Sequence, residues 1–198
     1  MKLSKVFFLF ATILIFTSCS NDKALRAKAN MLAHKFIITD GHIDTPWKLS
    51  KNYEDISLRT KTGDFDYVRA KEGGLDVPFM AVYIPSSYLE TGGAKEKADS
   101  LIDMVEQIAA KDPDKFEIAY SLADANRIFK EGKVALPMGM ENGAGIEDDI
   151  SNLKHFYDRG IRYITLTHSK DNLICDSSYD ESDDTWGGLS PYGRKVVK

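Results

Sequence analysis

The sequence predicts an α/β fold built on a parallel sheet, because short apolar strands alternate along it with segments of helical periodicity. Four apolar runs lie at about 36–42, 77–84, 133–140 and 161–167. In the segments between them, apolar residues recur three and four positions apart, which is the spacing of one helix face. Strands that alternate with helices form β/α units and pair in parallel, and we count four such units.

Each helix is predicted from its apolar spacing and its end signals. The predicted helical segments are 19–35 (a tether and a leading helix), 98–109, 122–131 and 146–157. Ser121 and Asp124 form a capping box before the helix at 122–131. Pro113 ends the helix at 98–109, and Gly160 ends the helix at 146–157. The charged segment 48–72 shows no periodicity and is predicted to be irregular.

Residues 1–18 are predicted to be a lipoprotein signal peptide that is not part of the fold. Lys2 and Lys5 form a positive start, and the apolar stretch 6–16 is too short to span a bilayer. The residues up to Cys19 resemble a bacterial lipobox, so we expect cleavage before Cys19 and lipidation of its thiol. Several acyl chains would anchor the exported protein firmly in the bacterial cell envelope, on the periplasmic side or at the outer membrane. The alternative is an ordinary signal peptide whose cleavage region contains a cysteine.

The charge balance argues against nucleic acid as a partner. The formal net charge is −4, and it becomes −6 once the two leader lysines are lost. This acidity suits a soluble, exported domain. Only Cys175 remains after lipidation of Cys19, so no intrachain disulfide can form. Asp171 and Asp176 should raise the pKa of the Cys175 thiol, which argues against a nucleophilic role.

Carboxylates and imidazoles follow the ends of three predicted strands. The segment 40–46 (DGHIDTP) puts His42 and Asp44 two positions apart after the first strand, and such side chains share one face of a strand. Glu141 follows the third strand and His168 the fourth. These groups are candidates for one metal site at the C-terminal strand ends. The alternatives are a hydrogen-bonded histidine with a turn-forming aspartate, a helix cap or surface charge for Glu141, and a backbone-bonded imidazole for His168.

The remaining histidines and the acidic loop carry weaker signals. His34 precedes the first strand and His155 lies off the apolar stripe of its helix, so both are expected to be solvated. The loop 171–188 follows a strand and should overhang the active-site face, where it either binds a peptide ammonium group or is simply solvated. Trp186 could pack this loop down.

Two further segments complete an ordered set of motifs. The segment 188–193 (GLSPYG) follows the last strand, and two glycines precede 77–85 (VPFMAVYIP). Taken in chain order, the His-x-Asp pair, the strand-end Glu, the strand-end His and the GLSPYG segment resemble the membrane (renal-type) dipeptidase family of metallopeptidases. The resemblance runs from about Asp40 to Lys198.

The resemblance implies a (β/α)8 TIM-barrel metallohydrolase that cleaves dipeptides with two zinc ions. It makes His42, Asp44 and Glu141 metal ligands, with Glu141 the catalytic carboxylate that bridges both ions. It makes His168 a substrate-binding residue that holds the carbonyl oxygen as negative charge develops. In the family, two more histidines and an arginine come from later strands, and no residue of this chain can be assigned to them.

The length suggests a partial barrel. A (β/α)8 barrel takes roughly 250 residues, whereas this chain has 198 and stops inside a predicted helix. We therefore expect residues 36–198 to be the N-terminal half of the barrel, inactive alone and prone to aggregate or to form a homodimer through its open edges. Two alternatives to a dipeptidase are another binuclear amidohydrolase and a non-catalytic truncated lipoprotein.

The lipid anchor is testable with the two cysteines of the chain. We expect Cys19→Ser to abolish labelling by a fatty-acid analogue and to release the protein from membranes, because the thioether to the lipid needs the thiol. Cys175→Ser is the matched control and should leave labelling unchanged. Labelling that persists in Cys19→Ser would rule out the lipoprotein.

Overall fold

The computed structural model describes residues 22–180 and 185–198. The predicted signal peptide and Cys19 lie outside the described residues, as do residues 181–184 of the acidic loop. Among the described residues, no helix combines the length and the apolarity needed to cross a membrane.

In chain order the elements are α1 (22–35), β1 (Thr39–Ile43), α2 (Thr45–Lys51), α3 (Tyr67–Gly73), β2 (Val77–Tyr83), α4 (Tyr88–Thr91), α5 (Ala94–Lys111), β3 (Phe116–Ile118), α6 (Leu122–Lys130), β4 (Val134–Leu136), β5 (Met138–Glu141), a 3₁₀-helix (Gly143–Ile146), α7 (Ser151–Asp158), β6 (Ile161–Thr165) and α8 (Gly193–Val196).

The central sheet contains four parallel strands in the order β1-β2-β5-β6. The prediction of an α/β fold with a parallel sheet is therefore confirmed. Because the strands share one direction, their C-terminal ends meet at one edge of the sheet. The registers place Tyr83 of β2 opposite Glu141 of β5, and Glu141 opposite Thr165 of β6.

The predicted third strand, 133–140, is in fact two strands that belong to different sheets. β4 pairs with β3 in a separate two-stranded sheet, whereas β5 pairs with β2 and β6. Pro137 separates them, since it has no N–H to donate and its carbonyl accepts a hydrogen bond from the Met80 N–H at 2.8 Å. A continuous apolar run carries no signal for such a change of partner.

The segment 48–72, predicted to be irregular, is so only at 52–66, which contain no helix or strand, whereas its two ends belong to α2 and α3. Pro46 lies in the first turn of α2, where its fixed φ favours helix initiation. The side chain of Asp66 caps α3 by accepting a hydrogen bond from the Arg69 N–H at 2.8 Å. The first strand also begins later than predicted, at Thr39.

The core lies between the sheet and α5. Met80, Met138 and Met140 point outward from the two middle strands and are fully buried against helical residues such as Leu101 and Val105. The alternate residues of these strands face the opposite side of the sheet. The sheet thus separates an apolar outer layer, which stabilises the fold, from an inner face that carries polar and aromatic groups.

The helix α7 is joined to α5 by an ion-pair network, which corrects the expectation that His155 is simply solvated. His155 Nε2 lies 2.7 Å from Asp99 Oδ1. Arg159 contacts the same carboxylate at 3.1 Å, and its other nitrogens reach Asp103 at 2.6 Å and Glu106 at 2.9 Å. These contacts fix the helix that precedes β6.

Asp66 organises the connection between α2 and α3. It is fully buried, accepts a further hydrogen bond from the Thr60 N–H at 3.1 Å, and forms an ion pair with the Arg69 guanidinium at 2.9 Å. Burial pushes the pKa of Asp66 up, but the hydrogen bonds from Arg69 and Thr60 and the charge of Arg69 outweigh it and hold the pKa below its usual value.

We expect Asp66→Asn to lower the free energy of unfolding at pH 7 by about 1–3 kcal/mol, because it removes the charge from these hydrogen bonds. The advantage of the carboxylate is present above about pH 4, the ordinary Asp value. It is lost as the pH falls through the lowered pKa of the folded state. Urea denaturation from pH 7 to pH 3 measures both effects.

The exposed carboxylate of Asp64 provides the matched control. Asp64→Asn should change the free energy of unfolding by less than about 0.5 kcal/mol. Equal losses from the two variants would contradict the role of Asp66.

Candidate active site

His42, Asp44 and Glu141, which we call the ligand cluster, lie together at the C-terminal edge of the sheet. Their potential ligand atoms are all within 4.8 Å of one another. His42 Nε2 lies 3.2 Å from Glu141 Oε2 and 3.5 Å from Asp44 Oδ1. β1 ends at Ile43, so Asp44 occupies the turn into α2, where its side chain makes no capping hydrogen bond. The pair therefore converges through the strand-to-helix turn and not through strand periodicity.

The carboxylate of Glu141 lies between two imidazoles. Its Oε2 faces His42, and its Oε1 lies 3.3 Å from His168 Nε2. Only 19% of the side chain is exposed. Because each oxygen is turned towards a different neighbour, this carboxylate is placed to serve two partners at once.

The buried residue Asn142 fixes the turn that presents Glu141. Its φ is +78°, in the left-handed region that non-glycine residues rarely adopt. Its amide donates to the Ile84 carbonyl at 2.9 Å, and its side-chain oxygen accepts from the Ala144 N–H at 3.2 Å. Its own N–H donates to Thr165 Oγ1 at 2.9 Å, so neighbouring strand ends are tied to the same turn.

His168 presents one nitrogen to the site and the other to the protein interior. Within the described residues, its Nδ1 is buried and has no hydrogen-bond partner. A proton on Nδ1 would therefore lack an acceptor, which favours the tautomer that carries its proton on Nε2. In that tautomer His168 can donate a hydrogen bond into the open site beside Glu141.

The aromatic residues of the site were not predicted from the sequence. The Tyr83 ring packs edge-on against His168 at 5.0 Å between centroids and against Trp47 at 5.2 Å. Burial, followed by the nearby charges of Glu141 and Asp44, raises the pKa of Tyr83. The position of Tyr83 at a strand end was a usable signal, of the same kind that singled out Glu141.

Tyr163 is a second residue that was missed. Its hydroxyl lies 2.7 Å from His42 Nδ1. Burial, followed by Glu141, Asp44 and Asp40, raises the pKa of Tyr163, so the hydroxyl stays protonated. No sequence signal links it to His42, from which it is separated by 121 positions.

The ligand cluster fits a divalent metal ion. A metal bound at 2.0–2.2 Å in tetrahedral geometry separates its ligands by about 3.3–3.6 Å. The distances of 3.2 and 3.5 Å from His42 Nε2 to the two carboxylates are close to that range. One imidazole and two carboxylates form a donor set that zinc and several other divalent metals accept.

The other candidate groups do not join the site. Burial raises the pKa of the Cys175 thiol, and Asp176 and Asp171 raise it further, in the predicted direction. His34 is exposed, and its ring nitrogens lie within hydrogen-bond distance of two backbone carbonyls. Trp186 holds the acidic loop down through a hydrogen bond from its Nε1 to the Asn172 carbonyl at 2.9 Å.

Comparisons with known proteins agree on one family. The family model for membrane dipeptidase (peptidase family M19) matches residues 26–198. An uncharacterized dipeptidase of Schizosaccharomyces pombe is 32% identical over 186 residues, which cover 86% of this chain and 45% of the relative. Dipeptidase 3 of Mus musculus is 27% identical over 90% of this chain and 37% of its own length. The solved structure of the probable dipeptidase PvdM from Pseudomonas aeruginosa matches with a TM-score of 0.77 and 26% identity, over 88% of this chain and 46% of that one.

A parallel α/β sheet that ends in clustered histidine and carboxylate side chains is typical of metal-dependent hydrolases. The family model covers most of the sequence, so the chain belongs to the membrane dipeptidase family. The resemblance seen in the ordered motifs is thereby confirmed. The chain spans less than half the length of the curated relatives it matches.

Two substitutions of Asn142 separate its backbone strain from its hydrogen bonds. We expect Asn142→Ala to lower the free energy of unfolding by about 3 kcal/mol, since it leaves buried polar groups without hydrogen-bond partners and keeps a strained φ. Asn142→Gly should be about 1 kcal/mol less damaging, because glycine adopts positive φ freely. Urea denaturation provides both values. If alanine were tolerated as well as glycine, the left-handed turn would not be what Asn142 maintains.

Proposed function

We propose that the complete protein is a zinc-dependent dipeptidase that hydrolyses the peptide bond of dipeptides. The observation that carries the proposal is the position of Glu141, with one oxygen on the His42 side and the other on the His168 side. Membership of the membrane dipeptidase family supports the substrate class. The fit of the ligand cluster to a divalent ion supports the metal, and zinc is the finer part of the proposal.

Each residue of the site would have a separate role in the reaction. His42 Nε2, Asp44 and Glu141 would hold the metal, which when bound supplies a hydroxide near neutral pH and polarises the scissile carbonyl. Glu141, with two oxygens turned to opposite sides, is suited to span two cations. His168 would donate its Nε2 proton as a hydrogen bond to the carbonyl oxygen, where negative charge develops. The Tyr83 ring holds His168 in this orientation.

We also propose that the four parallel strands are the first half of a (β/α)8 barrel. The strand order leaves β1 and β6 at the edges of the sheet. The relatives are about twice as long as the matched region, which leaves room for four more units. The second zinc would then take its remaining ligands from those later strands, and the 198-residue chain alone would be inactive, aggregated or paired as a homodimer through its edges.

The location of the protein is proposed from the first 19 residues alone. The positive start, the short apolar stretch and Cys19 support export and lipid anchoring in the bacterial envelope. The two competing functions, another binuclear amidohydrolase and a non-catalytic lipoprotein, are separated from the dipeptidase by an activity assay. The family match and the GLSPYG segment favour the dipeptidase.

The proposal predicts different losses for the two central residues in the protein made from its complete gene. Glu141→Gln should abolish dipeptide hydrolysis and reduce metal content, because an amide keeps the shape but cannot offset two cations. His168→Ala should lower turnover by about 10²–10³-fold and leave metal content nearly unchanged, since it touches substrate and not metal. Hydrolysis of simple dipeptides is measured together with zinc content.

His34→Ala, a histidine outside the site, is the matched control and should retain full activity. A wild-type protein that binds zinc but cleaves no dipeptide would favour one of the competing functions. Robust zinc-dependent activity from the 198-residue chain alone would overturn the half-barrel and the assignment of missing ligands.

A further inference from the structure

We propose that Tyr163 is a positioning residue that holds the His42 imidazole in the orientation needed for metal binding. The inference rests on the proposed metal site and names the residue that prepares one of its ligands. The Tyr163 hydroxyl lies 2.7 Å from His42 Nδ1, on the side of the ring away from the carboxylates of the ligand cluster.

The contact joins the two edge strands of the central sheet. His42 lies on β1 and Tyr163 on β6, with β2 and β5 between them. In a flat sheet these strands would be about 14 Å apart, at 4.7–4.9 Å per spacing. A direct hydrogen bond between their side chains therefore requires the sheet to curl, so that the concave face brings both edges to one centre.

The hydrogen bond also selects the nitrogen that can bind metal. His42 Nε2 faces Glu141 and Asp44, so Nε2 is the ligand atom and must offer a lone pair. The ring proton then lies on Nδ1, where Tyr163 Oη accepts it. A hydrogen bond to the second nitrogen of a ligating histidine fixes the tautomer, holds the ring plane and increases the basicity of the ligand.

The Tyr163 ring is held in place by a gap in the neighbouring strand. Gly139 of β5 has no side chain, and a Cβ built there would collide with the ring. Phe79 of β2 contacts the ring at 5.6 Å between centroids. The tyrosine therefore fills a space that the glycine leaves open, and its hydroxyl cannot swing freely away from His42.

Tyr163 supplies a restraint that His42 otherwise lacks on that side. About a third of the His42 side chain is exposed. Its backbone N–H is fixed by Asp40 Oδ1 at 3.0 Å, but this contact does not restrain the ring. Within the described residues, the Tyr163 hydroxyl is the hydrogen-bond partner of Nδ1, and its loss would let the ring turn out of line with the two carboxylates.

The test is the zinc affinity of Tyr163→Phe in the protein made from its complete gene, measured by competition with a chromophoric chelator. The substitution keeps the ring in its space and removes only the hydroxyl. We expect zinc affinity to fall by about 10–100-fold, the usual cost of losing such a partner. Circular dichroism and thermal unfolding of the metal-free protein should match the wild type, which separates positioning from folding.

Tyr83→Phe is the matched control, because it removes a hydroxyl from the same site without touching His42. It should leave zinc affinity unchanged. Gly139→Ala is a complementary variant, because the added methyl group displaces the Tyr163 ring and leaves the Tyr163 hydroxyl intact. This variant should also weaken zinc binding. Replacement of zinc by Co²⁺ adds a spectroscopic signature, in which the visible absorption of bound Co²⁺ should change in Tyr163→Phe but not in Tyr83→Phe.

The outcomes distinguish this inference from the proposed function. If the wild-type protein binds zinc and Tyr163→Phe binds it equally well, the positioning role is overturned and the metal site stands. If Tyr83→Phe loses as much affinity as Tyr163→Phe, the effect is not specific to the His42 contact and the role is likewise overturned. If the wild-type protein binds neither zinc nor Co²⁺, the metal site and this inference fail together.

Discussion

The shared direction of the four central strands is the constraint on which the site depends. Because β1, β5 and β6 run in parallel, His42, Glu141 and His168 all lie at one edge of the sheet. Reversal of one strand would carry its terminal residue to the opposite end of the strands, about 13–17 Å away for a strand of this length. The buried methionines of β2 and β5 secure this alignment from the outer face, so they support the chemistry without contacting it.

The strand β5 shows how one short segment serves both packing and chemistry. Met138 and Met140 point to the side of the sheet that packs on α5, whereas Gly139 and Glu141 face the concave side. A glycine within a strand costs roughly 0.5–1 kcal/mol relative to alanine. Here the missing side chain makes room for the Tyr163 ring, which in turn reaches His42. The local loss in strand stability thus accompanies a gain in order at the site.

The predictable part of this molecule is the part that local pattern encodes. Strand-end polar residues such as His42 and Glu141 stand out because they interrupt apolar runs, and their sequence neighbours fix which edge they reach. The break at Pro137 was missed because both flanking strands are equally apolar and differ only in their partners. Tyr163 was missed for a similar reason, since its significance comes from the curl of the sheet and from a glycine on another strand. Contacts that form only in three dimensions leave no periodic trace in the sequence.

Two histidine–carboxylate groups in this chain differ in how their charge is offset, and the difference separates structure from function. The pair of His155 and Asp99 is joined by Arg159 and Lys95, so fixed cations of the protein compensate the carboxylate. Among the described residues, the ligand cluster has no lysine or arginine within 4.0 Å of its carboxylates, and the ion-pair partners of the Glu141 carboxylate are the imidazoles of His42 and His168. Two carboxylates held close together without a fixed cation repel each other unless a positive charge enters between them. The first group is therefore complete as a structural ion pair, whereas the second has the charge and spacing that the proposed metal ion would need.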